Sequence, residues 1–510
     1  MNLATYFLDH NLPARADKVA LRAVVPTRDG GMDEVCFTFQ EMVDWSCRVG
    51  NELRARGVHE EDRVLLALSD SPAFAASWFG VVRIGAVVTM MNPLVPEEDW
   101  AYYLEYTRAR VLITESAWAA AHADVIAAAL GNQLGSVLLV DDPADLARIE
   151  AQPPTCRTAS SHLDDPSVWL FSSGSSGKPK GCVHVNGDFI HNTESYAKQV
   201  LGIREDDVTL SVPRLFFGYA TGTNLMFPWA VGATTCLYPD RPTPESVLAY
   251  IARFRPTIVT NVPTMIHRML ECEAAATTDL SSVRMVLSAG EALPAELYRR
   301  WVERTGVEIL DGIGSAEMFH IYISNRPGDV GLGTLGRLVP GYEARILGED
   351  GQDVPPGEIG TLLVKGPSNA ICYHRDRARS RDTYCGEWTN THDQFRIDAE
   401  GRYVYCGRAD DLLKVGGVYV SPVEVENCLL THPAVRECAV IGFERGGLML
   451  TCAFVVATTS GDEALARALQ EHVKGRLAPH KYPREVRFLA DMPRTDRGKA
   501  ARADLRRMIL

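Results

Sequence analysis

Between about residues 60 and 310 the chain repeats one pattern of apolar and polar positions. A short apolar run rich in β-branched residues is followed by a turn, then by a segment whose apolar positions recur at helical spacing. "RVLLALSD" precedes "SPAFAASWFGVVRIG", "TIVTNVP" precedes "TMIHRMLECEAA", and "RMVLSAGEALP" precedes "AELYRRWVERTG", with "VEILDGIGS" after it. Strands alternating with helices predict parallel sheets covered by helices. From about 330 to 408 glycine-rich turns separate short alternating runs such as "EIGTLLVKGP" and "GRYVYCGR", which predict a small antiparallel β-unit. Beyond "GRADDLLK", "SPVEVENCLLTHP" predicts a helix, "ECAVIGF" and "LMLTCAFVVA" strands, "DEALARALQEHVKGRL" a helix and "REVRFLA" a strand. This last module, roughly 100 residues, is large enough to be an α+β domain of its own. The boundary falls near Asp410, dividing residues 1–409 from 410–510.

The longest uncharged stretch, "LFFGYATGTNLMFPWAVGATTCLY", raises the question of a membrane span. Its glycines, proline, asparagine and threonines point instead to buried strands, turns and pocket wall. The start, "MNLATYFLDHNLPARADK", has no basic segment followed by a long apolar core and does not read as a signal peptide. With 510 residues, 46% hydrophobic and 23% charged, the chain fits a soluble protein of two to four domains. A formal net charge of -13, with no basic run, argues against a nucleic-acid partner. The twelve cysteines are scattered without a C-x-x-C pair. That argues against structural zinc and a disulfide framework, and predicts a cytoplasmic location.

One segment concentrates candidate chemistry. "LFSSGSSGKPKGCVH", Leu170 to His184, sets glycines, serines and lysines after an apolar run. Glycines let backbone N–H groups turn inward, hydroxyls add donors, and a lysine adds charge, which together suit a phosphate. Gly174 and Gly177 are too close for a Walker A loop. A flexible surface linker is the bland alternative, but the stretch is short and lies between apolar segments. Elsewhere the local signals are weaker. Glu317 in "GIGSAEMFH" has the carboxylate to hold Mg²⁺, and Asp393 in "WTNTHDQF" and Arg408 in "YCGRADD" the groups to grip a ribose. Taken singly these read as ordinary loop, turn or ion-pair residues, Lys499 in "PRTDRGKAAR" as an exposed lysine, and His184 and His320 as structural histidines.

Together, in this order, "SSGSSGKPKG", "SAGEAL", "DGIGSAE", "WTNTHD", "YCGRADDLLKVGGVYVSPVEVE" and "PRTDRGK" resemble the adenylate-forming (AMP-binding) superfamily from about residue 35 to 507. "KGCVH", "RLFFGYATGT", "GIGSAEMFHIYISNRPGDV" and "KVGGVYVSPVEVE" resemble its benzoate-CoA ligase branch. The resemblance implies an α/β fold: a large N-terminal domain of two helix-covered sheets plus a small β-unit, and a smaller mobile α+β C-terminal lid hinged at Asp410. It implies an acid–thiol ligase that uses ATP, Mg²⁺ and coenzyme A to activate an aryl carboxylate through an acyl-adenylate. By resemblance, Ser173, Ser175, Ser176, Gly177 and Lys180 hold the leaving pyrophosphate, and Glu317 binds Mg²⁺. Gly290, Glu291, Ala292, Asp311 and Ile313 flank adenine; Asp393 and Arg408 hold the ribose. Lys499 bridges the carboxylate and ATP, and the lid face around Gly416 and Gly417 helps form the pantetheine tunnel. Phe217, Gly218, Tyr219, Gly314, Met318, His320 and Ile321 line the acyl pocket, with flat apolar groups suited to a planar ring.

Four positions depart from the pattern. Ser176 stands where threonine is usual, and keeps the hydroxyl. Ala316 stands where threonine commonly precedes the Mg²⁺ glutamate, which removes a hydroxyl donor to a phosphate or the adenylate; whether the neighbouring Ser315 compensates is left open. His392 stands where glycine usually precedes the ribose aspartate; at positive φ it would cost on the order of 1 kcal/mol and put an imidazole beside the nucleotide. Gly218 stands where alanine is frequent, and the missing methyl predicts room for an ortho or meta substituent, hence amino- or hydroxybenzoate over plain benzoate. Other readings are a stand-alone adenylating enzyme serving a carrier protein or small nucleophile in trans, a weakened nucleotide-binding protein, or a medium-chain fatty acid ligase. A homodimer is left open as the assembly.

Overall fold

The strand–helix repeats build two large mixed sheets. The computed structural model describes residues 1–27, 31–132, 134–173, 178–409, 413–415, 418–445, 448–494 and 500–509. The first sheet runs in the order Arg337–Leu338, Ile321–Ser324, Ile309–Gly314, Met285–Ser288, Ile258–Asn261, Val208–Ser211, Thr234–Leu237, Val19–Pro26, Met32–Thr38. Its six middle strands are parallel and each edge is closed by antiparallel pairing. The second runs Cys372–Tyr373, Pro179–Val185, Pro166–Ser173, Val87–Met90, Arg63–Ala67, Val111–Thr114, Ser136–Leu139. Most central strands are buried along their whole length, as parallel strands covered on both faces must be.

Local signals fix the helices between them. Ser71 caps Pro72–Arg83 by accepting the Phe74 N–H, and Thr38 and Glu41 form a reciprocal capping box at Phe39–Ala55. The two helices pack on one core with Trp78, Phe79 and Trp229, whose Phe79 and Trp229 rings stack at 5.1 Å.

The long uncharged stretch departs from expectation. Gly218–Trp229 is a helical run with a π-helical turn at Gly222–Met226, and only Thr234–Leu237 is a strand. Glycine and threonine are poor helix formers, but tertiary contacts override them. Thr221 and Thr223 hydroxyls donate back to the Phe217 and Tyr219 carbonyls, and Asn224 Nδ2 donates to the Cys236 carbonyl at 3.1 Å. Among the described residues no helix is long and apolar enough to cross a membrane.

The predicted β-unit is an antiparallel sheet of Glu343–Leu347, Gly360–Lys365, Trp388–Ile397 and Tyr384–Cys385, with Tyr403–Arg408 also pairing to Trp388–Ile397. The C-terminal unit has its own sheet, Val435–Arg445, Leu448–Ala457 and Glu485–Phe488, flanked by Pro422–Leu430 and Glu463–Lys474. Its apolar clusters, built on Val425, Leu429, Val440, Val455, Leu469 and Val473 and on Ile441, Phe454 and Leu505, take no described side chain from before residue 413. Asp410 lies outside the described residues.

Candidate active site

Parallel strands deliver their C-terminal ends to one edge of a sheet, where ligands of open α/β sheets gather. "GEA" follows Met285–Ser288, and "GSAE" follows the neighbouring Ile309–Gly314. The glycine–serine run joins Pro166–Ser173 to Pro179–Val185, whose pairing sets Ser172 opposite Lys180 and Ser173 opposite Pro179. Ser175, Ser176, Gly177 and the Ser173 side chain lie outside the described residues, as do Gly416, Gly417 and Lys499.

Lys180 and Glu317 share a partner. Lys180 Nζ lies 4.3 Å from the centre of the Tyr373 ring, and the Tyr373 hydroxyl donates to Glu317 Oε1 at 2.6 Å. Tyr373 arrives there because Cys372–Tyr373 pairs with Pro179–Val185, Tyr373 opposite Cys182. Burial first, then the Glu317 carboxylate, push the tyrosine hydroxyl far above its ordinary range, so it stays a donor.

The backbone of this segment is gripped as well. Ala370 N–H donates to the Glu317 carbonyl at 2.9 Å. The buried His184 sets Nε2 2.6 Å from the Ala316 carbonyl and Nδ1 2.7 Å from Asp188 Oδ2. A carbonyl only accepts, so Nε2 carries the hydrogen. Asp188 Oδ2 also takes the Val185 N–H at 3.2 Å. Burial pushes the Asp188 carboxyl up and His184 opposes it, with a net shift upward.

Asp393 and Arg408 are opposite each other on adjacent strands, and Arg408 Nη1 donates to Asp393 Oδ1 at 3.1 Å. On its other side the strand of Asp393 bulges. Leu363 pairs with Asn390 and Thr361 with Gln394, so Thr391, His392 and Asp393 face Leu362 alone. His392 takes φ +57°, the left-handed conformation that the sequence made its cost depend on. Burial lowers the Arg408 pKa, while the Asp393 carboxylate and, more weakly, that of Glu317 raise it; the net shift is upward.

Gly290 has φ +88°, and a Cβ there would meet nothing within 4 Å, an open edge a flat base could approach. Glu291 is turned to the protein: its Oε2 accepts the Thr264 N–H at 3.1 Å and hydroxyl at 2.6 Å. Ala292 and Ile313 are half-buried, and Asp311 is buried opposite Ser288. Burial pushes the Asp311 carboxyl up to about 8, against the Ser288 hydroxyl and the Leu293 N–H.

The predicted acyl-pocket residues come together at a strained turn. Met318, Phe319 and His320 form a γ-turn: His320 N–H donates to the Met318 carbonyl at 2.8 Å, with φ +65° and ψ −59° at Phe319. A buried network holds it. Ser368 Oγ donates to Met318 O at 2.8 Å and meets the Tyr342 hydroxyl at 2.6 Å, and Asn192 Nδ2 donates to both Tyr342 and Ile321 O. Gly314 is required here, because a Cβ would lie 2.4 Å from His320 O. Ile321 is its cross-strand partner. His320 Nε2–H donates to Tyr219 O at 3.0 Å, with the two rings 5.4 Å apart, and Phe217 packs on Phe216 at 4.5 Å. Burial lowers the His320 pKa to about 3, so the ring is neutral and Nδ1 is a bare acceptor. Nδ1 and the buried Tyr219 hydroxyl have no hydrogen-bond partner among the described residues.

The expected space at Gly218 is filled. A Cβ there would lie 3.0 Å from Leu170 Cδ1 and 3.4 Å from Phe319 O, so a leucine methyl occupies what an alanine would take. The missing methyl leaves no void for a ring substituent.

Residues 8–374 match the model of the AMP-binding enzyme family, and 424–499 that of the AMP-binding enzyme C-terminal domain. The benzoate–CoA ligase of Thauera aromatica is 41% identical over 490 residues, 93% of this chain and 91% of that one. The chain belongs to the AMP-binding enzyme family. Among solved AMP-binding enzymes, an anthranilate CoA ligase in complex with anthranoyl-AMP superimposes with a TM-score of 0.93 at 39% identity, covering 100% of this chain and 97% of that one. A benzoate CoA ligase from Burkholderia xenovorans LB400 gives 0.90 at 40%, covering 99% and 100%.

Sequence reasoning missed Tyr373, His184 and Leu170 as parts of this candidate site. Tyr373 lies about 190 residues beyond Lys180 in the chain, and only strand pairing brings the two together. His184 was legible as a buried histidine, but its grip on the Ala316 carbonyl is a tertiary fact. Ala316 thus lacks a hydroxyl, yet its backbone is fixed by a ring nitrogen.

Proposed function

We propose that this AMP-binding enzyme is an aryl-CoA ligase that takes an amino- or hydroxybenzoate. The observation that carries the reading is an unpartnered pair on residues that the resemblance assigns to the acyl pocket. Among the described residues His320 Nδ1 lacks a donor and the Tyr219 hydroxyl lacks a partner, in a chain 39% identical to an anthranilate CoA ligase and alike over its whole length. A buried polar atom without a partner is costly, and an N–H or O–H on the ring would satisfy it. This replaces the argument from the missing methyl at Gly218.

In the first step the carboxylate attacks the α-phosphate of ATP, giving an acyl-adenylate and pyrophosphate; in the second, the coenzyme A thiolate attacks the acyl carbon and releases AMP. Negative charge builds up as two anions meet, so preorganised donors and cations must surround them. Lys180 would hold the leaving phosphates together with Ser173, Ser175, Ser176 and Gly177. Tyr373 contacts both Lys180 and Glu317, its ring the lysine and its hydroxyl the carboxylate. Asp393 and Arg408 would fix the ribose, and the Gly290 edge would admit adenine beside Ile313. Among the described residues no group of three His, Cys, Asp or Glu side chains gathers for a metal. Glu317, whose Oε1 accepts the Tyr373 hydroxyl, would hold Mg²⁺ as a single carboxylate. When bound, Mg²⁺ neutralises phosphate charge. Lys499, delivered by rotation of residues 410–510 about Asp410, would meet the carboxylate, and the Gly416–Gly417 face would then close on pantetheine.

Pyrophosphate release with ATP, Mg²⁺ and a panel of substituted benzoates, with and without coenzyme A, tests the reading. Release that needs one amino- or hydroxybenzoate and rises with coenzyme A, with thioester as product, supports it. An adenylate burst that coenzyme A leaves unchanged moves the acceptor elsewhere, and faster thioester formation from octanoate rejects the aromatic pocket.

A further inference from the structure

The bulge against Leu362 puts His392, beside Asp393, in a conformation that L side chains adopt reluctantly. Bulged residues of this kind recur beside functional sites, where they aim a side chain, and strain at such a position is a prompt to ask what it serves. The imidazole is not spent on the fold. Its Nε2 lies 3.5 Å from Thr383 Oγ1 and 3.7 Å from Asp382 Oδ2, at the outer limit of hydrogen bonding and beyond it, and the side chain is 37% exposed.

Its surroundings locate it. The next residue is Asp393, and the charges it feels, besides Asp382, are those of Arg408, Glu317 and Lys180. The ring is therefore within electrostatic reach of both the pair assigned to the ribose and the pair assigned to the phosphates. Burial chiefly holds its pKa below the ordinary histidine value, with Arg408 and Lys180 lowering it and Asp382 and Glu317 raising it. A neutral imidazole offers one N–H donor and one lone pair.

We infer that His392 is a further contact of the bound nucleotide, donating a ring N–H to the phosphate nearest the ribose. This rests on the adenylation reading above. AMP carries that phosphate and needs no metal to present it, so it is the probe.

AMP affinity is measured by titration calorimetry on the full chain for the wild type, His392→Gly and His392→Ala, with thermal midpoints for each. Loss of one charge-assisted hydrogen bond should weaken AMP binding about tenfold in both variants. The glycine variant should melt at or above the wild-type midpoint, because it takes φ +57° without strain. A merely structural histidine predicts the reverse, a lower midpoint with AMP affinity intact. Unchanged affinity in His392→Gly overturns the inference, and so does weakening in the alanine variant alone, which would assign the effect to the backbone. If the wild type itself fails to bind AMP, the adenylation reading falls with it; if it binds AMP and His392→Gly binds equally, only the role of His392 falls.

Discussion

His184 serves two acceptors that different variants separate. An asparagine amide can stand in for Nδ1 and keep the buried Asp188 paired, while a glutamine amide can stand in for Nε2 and keep the Ala316 carbonyl held. Breaking a buried pair by removing one partner costs about 3–5 kcal/mol. His184→Gln should therefore melt lower yet retain most of its pyrophosphate release. His184→Asn should keep its midpoint and lose roughly tenfold in kcat as the Glu317 segment loosens. Equal losses of stability and rate in both variants would mean the ring acts only as packing. At Tyr373, phenylalanine preserves the ring under Lys180 and deletes the donor to Glu317. A hydrogen bond to a charged group contributes about 1.5–3 kcal/mol, so Tyr373→Phe should slow adenylation about tenfold or more, with little change in KM for the acid. Steady-state pyrophosphate release at saturating and limiting acid measures both.

At the scale of elements, strand ends and irregularities set the chemistry. Ile309–Gly314 carries a carboxyl, Asp311, into a buried position that favours the protonated form up to about pH 8. In the unfolded chain the same group ionises near 3.8. The folded chain holds the extra proton between those values, so this residue makes stability fall as pH rises through that window. Asp311→Asn removes the dependence. Its thermal midpoint should exceed the wild type's by a few degrees at pH 8, and the gap should close toward pH 4. A constant gap would place the ionisation elsewhere. The elements themselves were largely legible. "RVLLALSD", "TIVTNVP" and "RMVLSAGEALP" became strands because a parallel strand buried on both faces reads as a continuous apolar run. "GYATGTNLMFPW" was not, because its helix depends on threonine hydroxyls and an asparagine amide that find carbonyls only in the folded chain. The bulge at His392 was half legible: the residue's oddity stood in the sequence, while its φ depended on register against Leu362.

For the whole molecule, the change of pattern after "GRADDLLK" falls where the C-terminal unit's separate apolar clusters begin. A unit with its own core can move as a body. If residues 410–510 deliver Lys499, then Lys499→Ala should abolish pyrophosphate release, by a factor of about 10² or more. It should still convert supplied acyl-adenylate and coenzyme A to thioester at near the wild-type rate. Loss of both half-reactions would make Lys499 part of a shared site instead of a visitor to the first.

The contact between Gly218 and Leu170 also bears on how such pockets change over time. A methyl added at 218 crowds Leu170 Cδ1, which must give by a few tenths of an ångström, whereas a shorter side chain at 170 opens the space that methyl would enter. The two positions lie on different elements nearly fifty residues apart, yet the effect of changing one depends on the other. A lineage that shortened residue 170 would find alanine at 218 easier to accept than one that did not. The acids open to each descendant would then depend on which step its ancestor happened to take.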